Sequence, residues 1–357
     1  MKIIHAIFSF NVGGAETMLV DILNQQCKEA FVSLIIVNNK LNADLINTID
    51  KRVSIYLINR EENNKFQLLP TLIKINQIVK RINPDIIHCH DNKLFPFFIM
   101  QQKKTLLTVH NTNLSCSYLK YYRQVFTVSE AVKGGVKKRA NVDAQLVYNG
   151  IAIDEYEQRT DYIPQKLFKI VQISRLNLKQ KGQHIAIQAV AHLKEKYPDM
   201  NFILYFVGDG EDKHKLNALA VKNKIENRIV FLGQKNRSWI KKHIQDFDVL
   251  IQPSLYEGFG LTIIEGLAAG LPVIASNLEG PKEILDFLNV GLTVKASNPN
   301  DLADKIYHIY TCYISDELLN HNYLIKYKSQ LEPFDIKTTV SIYMEQYRSL
   351  TLNTKTV

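Results

Sequence analysis

Two glutamates eight residues apart, Glu257 and Glu265, flank a glycine-spaced turn in PSLYEGFGLTIIEGLAAGLPVIAS (253–276). The preceding apolar run DVLIQP reads as a strand that delivers the chain to SLYEGFG. Gly258 and Gly260 allow the backbone to lie close to a ligand. A helix is expected from near Leu261 to near Gly270, with Pro272 preventing its continuation. Its first turn carries unpaired N–H groups and the positive end of the helix dipole, a seat for a diphosphate. Glu257 in the loop and Glu265 one turn into the helix cannot share a helical face, so they reach different parts of a ligand. Carboxylates accept strongly from paired hydroxyls, which suits a hydroxyl-rich ligand. An acid/base pair for hydrolysis is the other chemistry open to them.

Gly13 and Gly14, in FNVGGAET, lie between a strand and a helix and let an acceptor or a distal phosphate approach the backbone. The spacing is not G-x-G-x-x-G, which argues against dinucleotide binding. In HCHD (88–91), His88 and His90 point to one face of a strand and Cys89 to the other. The three cannot converge on one ion, so no metal is assigned. His90 and Asp91, at a strand end, are expected to line an acceptor side.

The elements that must position these residues alternate along the chain. Strands are expected at 2–8, 32–37, 53–58, 85–90, 105–110, 124–128 and 144–148, with helices at 15–29, 68–82 and 129–139 between them. A second series follows: strands at 168–174, 202–208, 228–233, 248–253, 272–276 and 290–294, with helices such as 182–196 and 212–223. Doubly buried strands alternating with helices imply parallel sheets. The polar, proline-containing segment 149–166 reads as the boundary between a first domain (1–160) and a second (168–333). The amphipathic segment 334–350 reads as a helix that packs back on the first domain, followed by a polar tail. Two doubly wound α/β domains would face each other across a cleft, where such sheets bind ligands at the carboxyl ends of their strands.

The chain has 357 residues, 46% hydrophobic and 22% charged, and carries +9 at a pI near 9.1. Residues 1–160 hold 20 basic and 14 acidic side chains, so most of that excess lies in the first half. A phosphate-bearing partner is implied. No apolar stretch approaches a membrane span, and the N-terminus reads as a buried strand rather than a signal peptide. Four cysteines without CxxC spacing suit reduced thiols in the cytoplasm.

The order and spacing of FNVGGAET, TVHNT, VSE, YNGIAID, SRLNLKQKG, VGDGE, FLGQ, the E-x7-E segment and GPKEIL resemble retaining glycosyltransferase family 4, of GT-B fold. The resemblance implies that Glu265 binds the nucleotide ribose. It implies that Glu257, with the N–H groups of Gly258, Phe259 and Gly260 ahead of Leu261, holds the donor sugar. Arg175 and Lys181 match a basic pair on the diphosphate, where two cations neutralise the charge growing on the leaving group. His110, ending the strand TLLTVH, matches a histidine next to the donor sugar, and Asn111 after it is expected on the acceptor side with His90 and Asp91. The turn at Gly208 and the wall around Gln234 and Lys235 would receive a uracil or a guanine. DFD (246–248) looks like a metal-binding DxD, but Phe247 and Asp248 lead into a buried strand, so the match is read as coincidence.

The implied activity is metal- and cofactor-independent transfer of a sugar from a nucleoside diphosphate sugar, with UDP the expected carrier. The acceptor would be a glycan hydroxyl, lipid-linked as in bacterial surface polysaccharides such as capsule or lipopolysaccharide. Lys133, Lys137, Lys138 and Arg139 suggest a peripheral contact with an anionic membrane face. A sugar-nucleotide epimerase of the same fold and a basic nucleic-acid-binding protein are the alternatives. The first would want further acids in the first domain, and no nucleic-acid motif supports the second.

Overall fold

The computed structural model describes residues 1–352 apart from Val12, Asn63, Asn113, Leu114 and Pro164. The expected polar tail beyond 352 lies outside the described residues. The chain divides into two units: residues 1–151 together with Pro333 onward, and Ala152–Glu332.

The first unit runs β1 (Lys2–Ile7), α1 (Gly14–Gln26), β2 (Phe31–Asn38), α2 (Ala43–Ile46), β3 (Ser54–Arg60), α3 (Leu68–Ile82), β4 (Ile86–Cys89), β5 (Thr105–Val109), β6 (Gln124–Thr127), α4 (Glu130–Ala140) and β7 (Gln145–Leu146). Among the described residues its seven strands pair in the order β3-β2-β1-β4-β5-β6-β7, all parallel. β1 and β2 are buried apart from their first residues, as strands covered on both faces must be. Leu19, Val20 and Leu23 of α1 pack on Val32, Leu34 and Ile36 of β2. Asn83 and Asn141 end α3 and α4 in the left-handed region, which asparagine tolerates.

The second unit runs β8 (Phe168–Ile173), α5 (Leu178–Lys181), α6 (Gln183–Lys196), β9 (Phe202–Val207), α7 (Lys213–Lys222), β10 (Ile229–Gly233), α8 (Arg237–His243), β11 (Val249–Gln252), α9 (Leu261–Ala268), β12 (Val273–Ser276), α10 (Glu279–Leu288), β13 (Leu292–Val294) and α11 (Pro299–Ile314). Among the described residues its six strands are also parallel, in the order β10-β9-β8-β11-β12-β13. The strand expected at 290–294 begins only at Leu292, because Gly291 turns through a positive φ of 73°.

The final helix α12 (Ile336–Leu352) belongs to the first unit. It buries Ile336, Val340, Tyr343, Met344 and Tyr347, and Arg348 pairs with Glu29 at 2.6 Å. Residues 152–160, expected with the first domain, fall in the second unit. Polar contacts decide this: Glu157 N donates to Lys241 O, Arg159 N to Ala269 O, and Arg159 Nη1 to the buried Asp248 at 2.7 Å.

Candidate functional site

In both sheets the strand order reverses beside the first strand, between β1 and β4 and between β8 and β11. The carboxyl ends at such a reversal are where open α/β sheets bind ligands. In the second unit two loops meet there: residues 174–182 after β8, and 253–260 after β11.

Backbone hydrogen bonds join these loops. Leu255 N and Tyr256 N both donate to Gln180 O, at 2.9 and 3.2 Å. The buried Gln172 donates to Lys181 O at 2.7 Å, and Gln183 to Arg175 O at 2.8 Å. This frame sets Lys181 Nζ 2.5 Å from Glu257 Oε2. Gln252 Nε2 donates to the same oxygen at 3.2 Å. The two charged side chains are only 18% and 15% exposed, so this ion pair is largely withdrawn from water. An ammonium has three donors, so Lys181 can keep Glu257 and still offer protons to a phosphate. Arg175 is exposed at the start of the same loop.

Gly260 takes φ 118° as the residue capping α9, and Phe259 is buried. Leu261 opens the helix, as expected. Gly258 and Phe259 pack so closely on Gly280 that a Cβ there would lie 2.7 Å from the Gly258 carbonyl carbon. The loop is thereby held with its backbone at the head of α9. Glu265 accepts a hydrogen bond from Tyr156 at 2.8 Å. Tyr156, itself buried, escaped the sequence reading because nothing links it to a glutamate 109 positions away.

Gly208, after β9, has φ 138°, and a Cβ on it would fall 2.1 Å from Ser174 O. Its N–H donates to Gly233 O at 2.9 Å, which aligns three strand ends. Gln234 is exposed, and Lys235 Nζ stands 5.3 Å from the centre of the Trp239 ring. Asp248 of DFD is committed to Arg159 and to Lys169 N–H, and Asp246 to His243. Phe247 and Asp248 are thus buried in the approach to β11, while Asp246 stays half exposed.

In the first unit Gly13 caps α1 with extended backbone and Gly14 opens the helix. His110 follows β5 and Asn111 is exposed beside it. Asp91 caps the turn after β4 by accepting from Lys93 N at 2.8 Å. His90 corrects an expectation: it is buried, and its nitrogens face His5 (3.0 Å) and His110 (3.2 Å), so it offers no edge to an acceptor. His88 and His90 do share one face of the sheet, with ring centres 4.8 Å apart. His5 of β1 joins them, and the nearest ligand nitrogens of the three lie within 4.8 Å of one another. A histidine inside the apolar strand KIIHAI was the signal for it. Burial pushes the imidazoles of His5 and His110 down to about 4 and those of His88 and His90 well below the ordinary range, so all four are neutral near pH 7.

Of the basic cluster on α4, Lys133 is paired with Glu130 at 3.0 Å and Lys137 with Asp143 at 2.7 Å, and Arg139 donates to Thr112 O. Among the described residues no helix is long and apolar enough to cross a membrane.

Two family models divide the chain. "Glycosyl transferases group 1" matches residues 154–327, and "Glycosyltransferase Family 4" matches residues 12–155. An uncharacterized glycosyltransferase of Methanocaldococcus jannaschii is 28% identical, over 61% of this chain and 64% of the relative. The phosphatidyl-myo-inositol mannosyltransferase of Mycobacterium tuberculosis is 23% identical, over 71% of this chain and 66% of its own. The chain thus spans about two thirds of the length of these relatives. The crystal structure of Anabaena Alr3699/HepE in complex with UDP and glucose superposes with a TM-score of 0.79 at 21% identity, over 98% of this chain and 100% of that one. The apo lipopolysaccharide outer core galactosyltransferase WaaB gives 0.71 at 18% identity, over 99% and 100%. At these identities the likeness is one of fold, the GT-B fold.

Proposed function

The chain belongs to the family 4 glycosyltransferases, and from that premise we propose that it is a retaining enzyme using a UDP-sugar donor and a glycan hydroxyl as acceptor in cell-surface polysaccharide synthesis. The observation that carries the proposal is the Lys181–Glu257 pair at the reversal of the second sheet, beside the head of α9. UDP and glucose in the Anabaena complex of the same fold support the UDP-sugar donor, and the mannosyltransferase relative supports glycosyl transfer in general.

Lys181 and Arg175 neutralise the diphosphate as the glycosidic bond lengthens, and the N–H groups opening α9 bind a phosphate oxygen. These cations supply the charge that a metal would otherwise bring. Glu257 accepts from sugar hydroxyls, with the 258–260 backbone beside it. Glu265, held by Tyr156, accepts from the ribose. The nucleophile is the acceptor hydroxyl; no protein side chain is assigned a covalent role.

The test is transfer from a UDP-α-sugar in the presence of EDTA, with proton NMR of the product. An α linkage at undiminished rate is expected. A β product, or transfer that EDTA abolishes and magnesium restores, would remove the chain from this reaction class. In the same preparation Glu265→Gln is expected to weaken UDP binding by roughly 1.5–3 kcal/mol, because it removes a charged acceptor. Unaltered calorimetry would detach Glu265 from the ribose.

We place the enzyme in the cytoplasm, peripheral on an anionic membrane face. Because three of the four α4 cations are already engaged within the unit, changing Lys133, Lys137, Lys138 and Arg139 to glutamine should lower cosedimentation with anionic vesicles by only roughly fivefold at low salt. Equal cosedimentation of parent and variant would make the cluster a solvated face.

A further inference from the structure

Helix α3 buries Thr71, Ile75, Ile78 and Val79 on its inner side. Its outer side is not polar throughout, as a solvated helix face would be. Phe66, in the turn Lys65–Gln67 that leads into the helix, is 95% exposed, Leu69 66% and Ile73 51%. Leu69 and Ile73 are four positions apart and so share one stripe of the helix, with Phe66 three positions ahead of them. Single exposed apolar side chains are common on soluble proteins, whereas three in helical register make a patch with a use.

The charges around this patch have one sign. Between Glu62 and Asp85 the sequence holds Lys65, Lys74, Lys80 and Arg81 and no acid. The first turn of α3 carries no carboxylate, although the helix dipole would favour one there. Lys74 is spent on the chain itself, donating to Leu57 O at 3.1 Å. Lys65, Lys80 and Arg81 are exposed and make no ion pair among the described residues. On α4, by contrast, Glu130 and Asp143 already occupy Lys133 and Lys137. Lys80 lies on the Leu69–Ile73 stripe, seven residues and about 10 Å beyond Ile73. One side of one helix thus has an apolar end and a cationic end, which fits a surface with an anionic skin over an apolar interior.

We propose that this side of α3 seats the protein on an anionic lipid bilayer. Phe66, Leu69 and Ile73 enter the boundary between headgroups and acyl chains, Lys65 extends its ammonium back to the headgroups, and Lys80 and Arg81 meet lipid phosphates. The proposal rests on the reading of the enzyme as peripheral on an anionic membrane face, and it moves the main contact from α4 to α3. Salt screens the charge attraction but not the burial of apolar surface, so the two parts of the contact are separable.

The test uses the full chain and vesicles of phosphatidylcholine with and without phosphatidylglycerol. The parent should cosediment with the anionic vesicles and keep part of its binding in high salt. Phe66→Ser/Leu69→Ser/Ile73→Ser should lower binding roughly 30-fold or more, in low and high salt alike. Lys80→Gln/Arg81→Gln should lower it roughly tenfold in low salt and little in high salt. Both variants should transfer sugar to a water-soluble acceptor at the parent rate, which also establishes that they fold. Phe66→Trp should gain an emission component that moves to the blue when anionic vesicles are added, against the signal of Trp239, the one tryptophan of the parent. A parent that ignores anionic vesicles defeats the peripheral reading and this proposal with it. If the parent binds but the triple serine variant binds equally well, or the Phe66→Trp emission stays where it is in solution, the α3 assignment alone is wrong. Self-association of the parent that the triple serine variant abolishes, without any loss of vesicle binding, would give the patch to a second copy of the chain and also overturn it.

Discussion

Lys181→Met should lower kcat by roughly 100- to 1000-fold while the chain remains folded. Methionine fills much of the same volume, so packing changes little, but the cation facing the leaving diphosphate is gone. The substitution also strands the Glu257 carboxylate, which is 15% exposed and would retain only Gln252 of the partners described for it. Leaving one charge of a largely buried pair alone costs roughly 2–3 kcal/mol, the lower range applying because water still reaches both groups. The double variant Lys181→Met/Glu257→Gln removes the stranded charge. It should recover most of the thermal stability and none of the activity. Recovery of turnover in the double variant would show that Lys181 serves only to neutralise Glu257. Equal stability of single and double variants would show that the pair is weak in solution.

Gly182→Ala should destabilise the chain by about 3 kcal/mol. Gly182 joins α5 to α6 at φ 64°, and a Cβ there would stand 1.9 Å from the Pro253 carbonyl oxygen. Neither atom can yield cheaply, since the Cβ is fixed by the backbone that bears it and the carbonyl is itself backbone, in the two loops that carry Lys181 and Glu257. For a unit of this size the expected fall in Tm is roughly 6–12 °C. UDP binding should weaken in parallel, because separating the loops breaks the Lys181–Glu257 frame. Gly134→Ala is the control. It lies inside α4 with nothing within 4 Å of the added methyl, and should stabilise by about 0.5–1 kcal/mol. A Gly182→Ala protein that melts with the parent would mean that the loop relaxes freely.

Local signals account for much of the agreement between sequence and structure. β8 and β11 are short apolar runs buried on both faces, and β9 is one with Ile203 and Tyr205 half-buried; such runs read as strands wherever they occur. α3 covers 68–82 as its apolar spacing requires, and α9 starts at Leu261 because Gly260 supplies the turn that precedes it. The E-x7-E spacing locates both glutamates on one loop and helix, since eight residues cannot separate them far. These features depend on neighbours within a few positions, where backbone geometry and side-chain shape act directly.

The partners of the site residues depend on strand order instead. β11 pairs with β8 while β9 and β10 lie on the other side of it, and only this reversal brings Lys181 to a glutamate 76 positions away. The same kind of reversal sets β1 against β4 and brings an unremarked histidine in KIIHAI within 3.0 Å of His90. Residues 152–160 carry no local mark of their allegiance; Arg159 meeting a buried Asp248 decides it. The sequence alone determined which residue types are available and which segments are strand, helix or turn, because those choices are made by contacts near in the chain. The tertiary structure decided which charge meets which and which histidines share one buried cluster, because a buried polar group must find a partner wherever the fold provides one.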